Sequence, residues 1–327
     1  MLTAIDGREA ISVTVGDLRL RGTYHMVASA ERLDSGNPGL KPHTPGPKAK
    51  TLGVLFLNPG FTPRAALGDS AVYWCECLTA SGYPCFRFDL PGLGDSDGEP
   101  PAQILDFINK GGYAPALSSL VKALVERYSL AGMVVVGHCA GAVTALFAAP
   151  LTKECAGLVL TDPYFFLPHE RARFWIELRN WSSLTRVGAA VSTMYYALRH
   201  IRLLVGRNRP PRNANLPLLR CWNQLASAGL PMLVLKAPAL KSRGLKPRIG
   251  EFDYLAYLQS MASPRSRVSI GFIEGTKHSF ADKKGRTGVR ENIEQWLNTQ
   301  RFEPLKGRAS DRSASVARAG YEALLPR

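Results

Sequence analysis

One short run of this sequence has the residue types and spacing of a covalent catalyst. Gly137-His138-Cys139-Ala140-Gly141 follows the apolar run MVVV (133–136) and leads into a stretch of small residues, 140–149. Glycines on both sides let a strand and a following helix approach closely across a sharp turn. The residue between them is held in a strained backbone conformation and projects from the sheet edge at a helix N-terminus, where an anion is favoured. Cys139 in that place reads as a nucleophile; the alternative is a structural thiol at an ordinary tight turn. Thiolates attack acyl groups well, and exchange with another thioester is close to balanced in energy, so the chemistry to expect is acyl transfer. Such a thiol needs a base. The histidines are His25, His43, His138, His169, His200 and His278, of which His278 follows a strand-like run near the end of the chain. His138 adjoins the nucleophile in the turn, points elsewhere, and reads as a packing or supporting residue.

These residues must be held by regular elements. ISVTVGDLRLRGTYHMV (11–27) alternates around Gly16-Asp17 as a β-hairpin. TLGVLFL (51–57), YPCFRFDL (83–90), MVVVG (133–137), AGLVLTD (156–162), PMLVLKA (231–237) and RVSIGFIEG (267–275) read as strands, several of them apolar throughout, as expected of strands buried on both faces. Between them, 69–81, 102–128 with a break at Gly111-Gly112, 140–149, 251–262 and 281–300 read as helices. Strands alternating with helices imply a mostly parallel central sheet with helices on both faces, an α/β fold. Ligands in such sheets lie at the carboxyl ends of the strands. The rhythm breaks at 163–230, which has helical spacing and many aromatics. The expected organisation is a core of 1–162 and 231–302, a helical cap inserted at 163–230, and a basic, loosely held tail at 303–327. Residues 31–50 read as a surface loop.

Composition narrows the function classes. The chain has 327 residues, 46% of them hydrophobic and 20% charged, enough for one large core and unlike a disordered protein. Six cysteines lie scattered without a disulfide framework, and Cys75-x-Cys77 lacks a second ligand pair, so no metal and no cofactor are expected. The N-terminus reads as no secretory leader and no segment as a membrane span, so a cytoplasmic protein is the expectation. The net charge of +15 is unevenly spread: 163–230 alone holds ten arginines, no lysine and two glutamates. That field attracts anions. No nucleic-acid motif accompanies it, so an anionic carrier on the substrate or a peripheral membrane contact through the basic helix 194–207 remain the readings to separate, beside a merely solvated basic face.

Together LNPGF (57–61), FDLPGLGDSDG (88–98), GHCAG (137–141), LVLTDP (158–163) and GTKHSF (275–280) resemble the α/β-hydrolase superfamily, over roughly residues 11–300. Most of that family carries serine at the turn; cysteine also stands there in dienelactone-hydrolase-like enzymes, polyhydroxyalkanoate synthases and hydrolases associated with exosortase systems. The last group is the most similar, through GHCAGA, the Arg-rich aromatic insert, the GEF stretch and KHSF. The resemblance implies His278 as the base and the chain order nucleophile, acid, base. The seventh core strand ends in KAPALKSRG, without the aspartate most members have there. Glu251 is the first expected acid, Asp162 at the end of the preceding core strand the second, and Asp253 the third. An oxyanion hole needs two backbone N–H groups. Ala140 supplies one; in the turn after TLGVLFL, Pro59 has none, which leaves Phe61. Asn58 stands where many relatives have histidine. Asp95 and Asp97 read as parts of a structural turn rather than metal ligands.

The expected function is a Cys-dependent hydrolase that cleaves or transfers an acyl group, from a small-molecule ester or thioester, through an acyl-enzyme. The rival reading, favoured by Asn58 and by the missing acid after the seventh strand, is a silent binding or scaffold protein on the same fold. The exosortase-type resemblance implies a bacterial setting linked to exopolysaccharide and surface-protein export, with no substrate assigned.

Overall fold

The computed structural model describes residues 7–27, 51–57, 59–167, 194, 210–211, 213–237 and 254–302. The loop expected at 31–50, most of the expected cap, the expected acids Glu251 and Asp253, and the tail at 303–327 lie outside these residues, as does Asn58.

The hairpin is β1 (Arg8–Val15) and β2 (Leu18–His25). Next come β3 (Leu52–Leu57), α1 (Ser70–Ala80), β4 (Cys85–Phe88), α2 (Ile104–Asn109), α3 (Ala114–Arg127) and β5 (Gly132–His138). The chain continues through α4 (Ala140–Ala148), β6 (Cys155–Thr161), α5 (Leu216–Ser227), β7 (Met232–Lys236), α6 (Tyr254–Ser260), β8 (Val268–Phe272) and α7 (Lys283–Thr299). The strands form one sheet in the order β1-β2-β4-β3-β5-β6-β7-β8. β2 pairs antiparallel with β1 and β4, and every pair from β4 to β8 is parallel. No helix among the described residues is long and apolar enough to cross a membrane.

The continuous apolar runs are explained by burial on both faces. In β3, Leu55 and Leu57 join one core with α3, α4 and α5, while Val54 and Phe56 join a second with α1 and α7. β5 divides in the same way, with Met133 and Val135 on one side and Val134 and Val136 on the other. Each side chain alternates between two dry layers, so β5 is fixed in register and its carboxyl end is a rigid platform.

One buried polar pair joins β2 and β4. Buried Arg87 donates from Nε to His25 Nε2 at 3.0 Å. Burial, then the charges of Arg87 and Arg8, push His25 down to about 3, so it stays a neutral acceptor. Two stretches within the segment expected as a cap, 163–230, meet: Leu167 N–H donates to Asn213 O and Asn215 N–H to Phe165 O. The chain thus leaves and rejoins the core at one place, and α5 packs into the same core as α4.

A methyl group on Gly137 would collide with the backbone of Gly141 and Ala142. The strand and helix touch where no side chain fits. Gly137→Ala is therefore expected to destabilise the fold by about 3 kcal/mol or more, read as a lower midpoint in urea denaturation.

Candidate active site

Five strand ends converge on one place. Cys139 lies between β5 and α4 with φ 52° and ψ −110°, a region that L-residues other than glycine avoid. Such backbone strain costs on the order of 1–3 kcal/mol and persists only where its surroundings enforce it. They do so here: Cys139 N–H donates to Thr161 O at 2.9 Å, and Cys139 O accepts from Ala142 and Val143 N–H. The thiol is free and half-buried. Asp162, at the end of β6, and Phe280, beside His278, also have positive φ, both 50°. Strained residues therefore gather at the carboxyl edge of the sheet.

His278 sits on the turn between β8 and α7. Asp282 caps α7 by accepting from Gly285 N–H, and its other oxygen accepts from Thr276 Oγ1 at 2.6 Å, which ties the turn to the helix start. The fully buried Phe280 anchors the far side. The imidazole Nδ1 lies 2.6 Å from Asp162 Oδ2, and the imidazole interacts electrostatically with the nearby Cys139 thiol. With Nδ1 engaged by the carboxylate, Nε2 is the nitrogen left for the sulfur. The bond to Asp162, then the interaction with Cys139, push His278 up to about 10 against the opposing effect of burial.

Asp162 is nearly buried, its side chain 7% exposed. Burial works against its ionisation, but the hydrogen bonds from His278 and Lys236 outweigh this and hold its pKa below the ordinary value. Lys236, the last residue of β7, pairs with Oδ1. The carboxylate is thus shared by two cations, one on each oxygen.

His138 supports the site from the β5 side. Its Nδ1 lies 3.0 Å from Thr161 Oγ1, which itself donates to Gly137 O, so His138 carries its proton on Nδ1. Its ring lies 4.9 Å from that of His278 and packs edge-on to Phe280. Burial, followed by the charge of His278, pushes it down to about 4. It fills space beside His278 as a neutral ring.

The turn after β3 closes the other side. Gly60, at φ 64°, takes the left-handed conformation this bend requires. A methyl group there would stand 3.9 Å from Ala140 Cβ, so the turn lies against the first residue of α4. Ala140 opens that helix, and its N–H has no acceptor within it. Among the described residues, neither Ala140 N–H nor Phe61 N–H donates to an acceptor. Arg64 pins the turn: its N–H donates to Asp89 Oδ1 at 2.8 Å, and its guanidinium pairs with Asp89 and with Asp95 at 2.6 Å. The DLPGLGDSDG segment is thereby a structural brace beside the site. Tyr164, two residues beyond Asp162, has a buried hydroxyl without a partner, pushed up to about 12 by burial and then by Cys139.

The fold thus brings Cys139, His278, Asp162, Ala140 and Phe61 to one edge of the sheet. The residue hydrogen-bonded to His278 is Asp162, the second of the expected acids. Lys236, Arg64 and Tyr164 were not singled out from sequence. A lysine closing a strand and a tyrosine after one look ordinary until the carboxylate and the thiol beside them are known.

A sequence profile described as alpha/beta hydrolase fold matches residues 53–194. No curated protein sequence matches significantly. Among solved structures, an esterase of Pyrococcus furiosus is similar at TM-score 0.54 and 14% identity, covering 89% of this chain and 90% of its own. Est1E from Butyrivibrio proteoclasticus, solved with ferulic acid bound, is similar at TM-score 0.51 and 14% identity, with 89% and 99% covered. DcsB, solved with a substrate analogue, is similar at TM-score 0.53 and 15% identity, with 89% and 99% covered.

The raised His278 value has a consequence for stability. A group held above its ordinary value of 6.5 contributes stability that is complete below that pH and is lost as pH rises through about 10. The lowered Asp162 adds stability that is present above its ordinary 3.8 and lost as pH falls through its folded value. The stability difference between wild type and His278→Ala should therefore be largest between pH 4 and 6.5 and shrink towards pH 10, measured by urea denaturation across that range. A difference independent of pH would contradict the coupling. With its sheet order, its strained strand–helix turn and the profile match over 53–194 in agreement, the chain has the α/β-hydrolase fold.

Proposed function

We propose that this protein is a hydrolase acting on small acyl esters or thioesters, with Cys139 as nucleophile, His278 as base and Asp162 as the acid that orients it. The observation that carries the reading is the strained Cys139 facing an imidazole whose other nitrogen is 2.6 Å from a buried carboxylate. This is the arrangement of nucleophile, base and orienting acid.

The steps follow from the geometry. Cys139 Sγ, with its proton already on His278 Nε2 in the resting pair, attacks the acyl carbon, and the carbonyl electron pair moves to oxygen. The oxyanion is held by Phe61 and Ala140 N–H, which cost no reorganisation because the Arg64 clamp and the helix start fix them beforehand. The tetrahedral species collapses and expels the alcohol or thiol, which takes the proton back from His278. Neutral His278 then takes a proton from water, whose oxygen attacks the thioester. Collapse of the second tetrahedral species frees the carboxylic acid and restores the resting pair of Cys139 and His278. Transfer to another acceptor in place of water uses the same intermediate.

The part of segment 163–230 between Leu167 and Asn213 is read as the cap that sets specificity, since the chain meets itself there while α5 packs in the core. Its arginines suit an acyl group on an anionic carrier. The esterase neighbours support ester cleavage, and the exosortase-type resemblance supports cysteine as nucleophile.

The test is turnover of a panel of p-nitrophenyl esters and acyl thioesters. Cys139→Ala is expected to reduce kcat to background, His278→Ala by about 10³-fold and Asp162→Asn by at least about 10²-fold, with KM little changed. Full activity in Cys139→Ala would refute the mechanism. Normal ligand binding without turnover in wild type would favour the silent binding protein.

A further inference from the structure

Asp162 has two oxygens and two cationic partners. His278 takes Oδ2, and Lys236 Nζ takes Oδ1 from the end of β7. Lys236 is itself only 28% exposed. A lysine drawn this far from water against a buried carboxylate is more than a surface pair, because the low local dielectric amplifies its effect.

We propose that Lys236 is a positioning residue of the site, acting through Asp162 to limit how tightly His278 holds its proton. The inference rests on the catalytic reading above. In that cycle His278 must accept a proton, release it to the leaving group, and be neutral again before water is activated. A buried carboxylate facing only the imidazole would direct its whole charge there and hold the imidazolium proton more tightly still. Lys236 on the far oxygen divides that charge. The groups facing this pair are few among the described residues. His138 approaches from β5 as a neutral ring, and Cys139 approaches His278 from the strand–helix turn. Lys236 is the cation on the opposite side.

The experiment is an NMR titration of the His278 imidazole in Cys139→Ala protein, which removes coupling to the thiol. Lys236 is compared with Lys236→Met, Lys236→Gln and Lys236→Arg. Removing a neighbouring cation makes the imidazolium more favourable, so Met and Gln should each raise the midpoint by about one pH unit. Gln retains a hydrogen-bond donor for Asp162 and serves if Met fails to fold. Arg keeps the charge and should leave the midpoint within roughly 0.3 unit of the parent. In protein with Cys139 intact, the acid limb of kcat should move up by the same amount in Lys236→Met.

A midpoint that stays put or falls in folded Met and Gln variants overturns the proposal, since a purely structural lysine would change only the melting temperature. The two readings fail separately. A wild type that forms no acyl-enzyme, with the midpoint still raised in Lys236→Met, sinks the catalytic reading and leaves the coupling standing. A wild type that acylates, with an unmoved midpoint in the variants, sinks the coupling alone.

Discussion

A carboxylate buried at the end of a central strand has to be matched by positive charge, and at Asp162 that requirement organises the whole edge of the sheet. Leaving it charged and unpaired would be strongly unfavourable, and a neutral Asp162 could not hold an imidazolium. His278 and Lys236 meet the requirement from the two strands that follow, one on each oxygen. The loop carrying His278 is therefore drawn over β6, and β7 ends in a lysine rather than an acid. The same charge orients the imidazole towards Cys139, so charge compensation and the arrangement of reactive groups are one feature.

The strain at Cys139 is supported from below. Two dry layers fix β5 in register, and the contact between Gly137 and Gly141 brings α4 against the strand. The hydrogen bond from Cys139 N–H to Thr161 O makes β6 a partner in the turn, next to the residue that supplies the carboxylate. On the other side, Arg64 and Asp89 hold the turn after β3 against the start of α4. The groups proposed for nucleophilic attack and for oxyanion stabilisation thus rest on different strands of one sheet, which suits a site that must not rearrange during reaction.

Much of this was legible in the sequence because the physical signals were local. Continuous apolar runs marked strands covered on both faces, and the Gly111-Gly112 break separated α2 from α3. Gly137-x-Cys139-x-Gly141 located the turn because the close approach it serves admits only glycine. His278, the proposed base, was placed by its position after the last strand, where the structure puts it against Asp162. The carboxylate beside His278 was harder. Asp162 and His278 are 116 residues apart, and nothing local to either states that they touch. Glu251 is the first expectation because KAPALKSRG lacks an acid, and it lies outside the described residues; Lys236, which opens that stretch, is where a carboxylate from the neighbouring strand finds its counter-charge. Arg64 looked like any turn arginine, and its role depends on Asp89, a residue of another strand end.

The central claim is that the sulfur at the strand–helix turn carries the acyl group. The most direct measurement is peptide-mapping mass spectrometry of protein quenched with acid during turnover of a slow acyl thioester. The account expects one acyl group, on the peptide containing Cys139, and none on those containing Cys75, Cys77, Cys85, Cys155 or Cys221. Acylation spread over several cysteines, or sustained turnover with Cys139 unmodified, would contradict it.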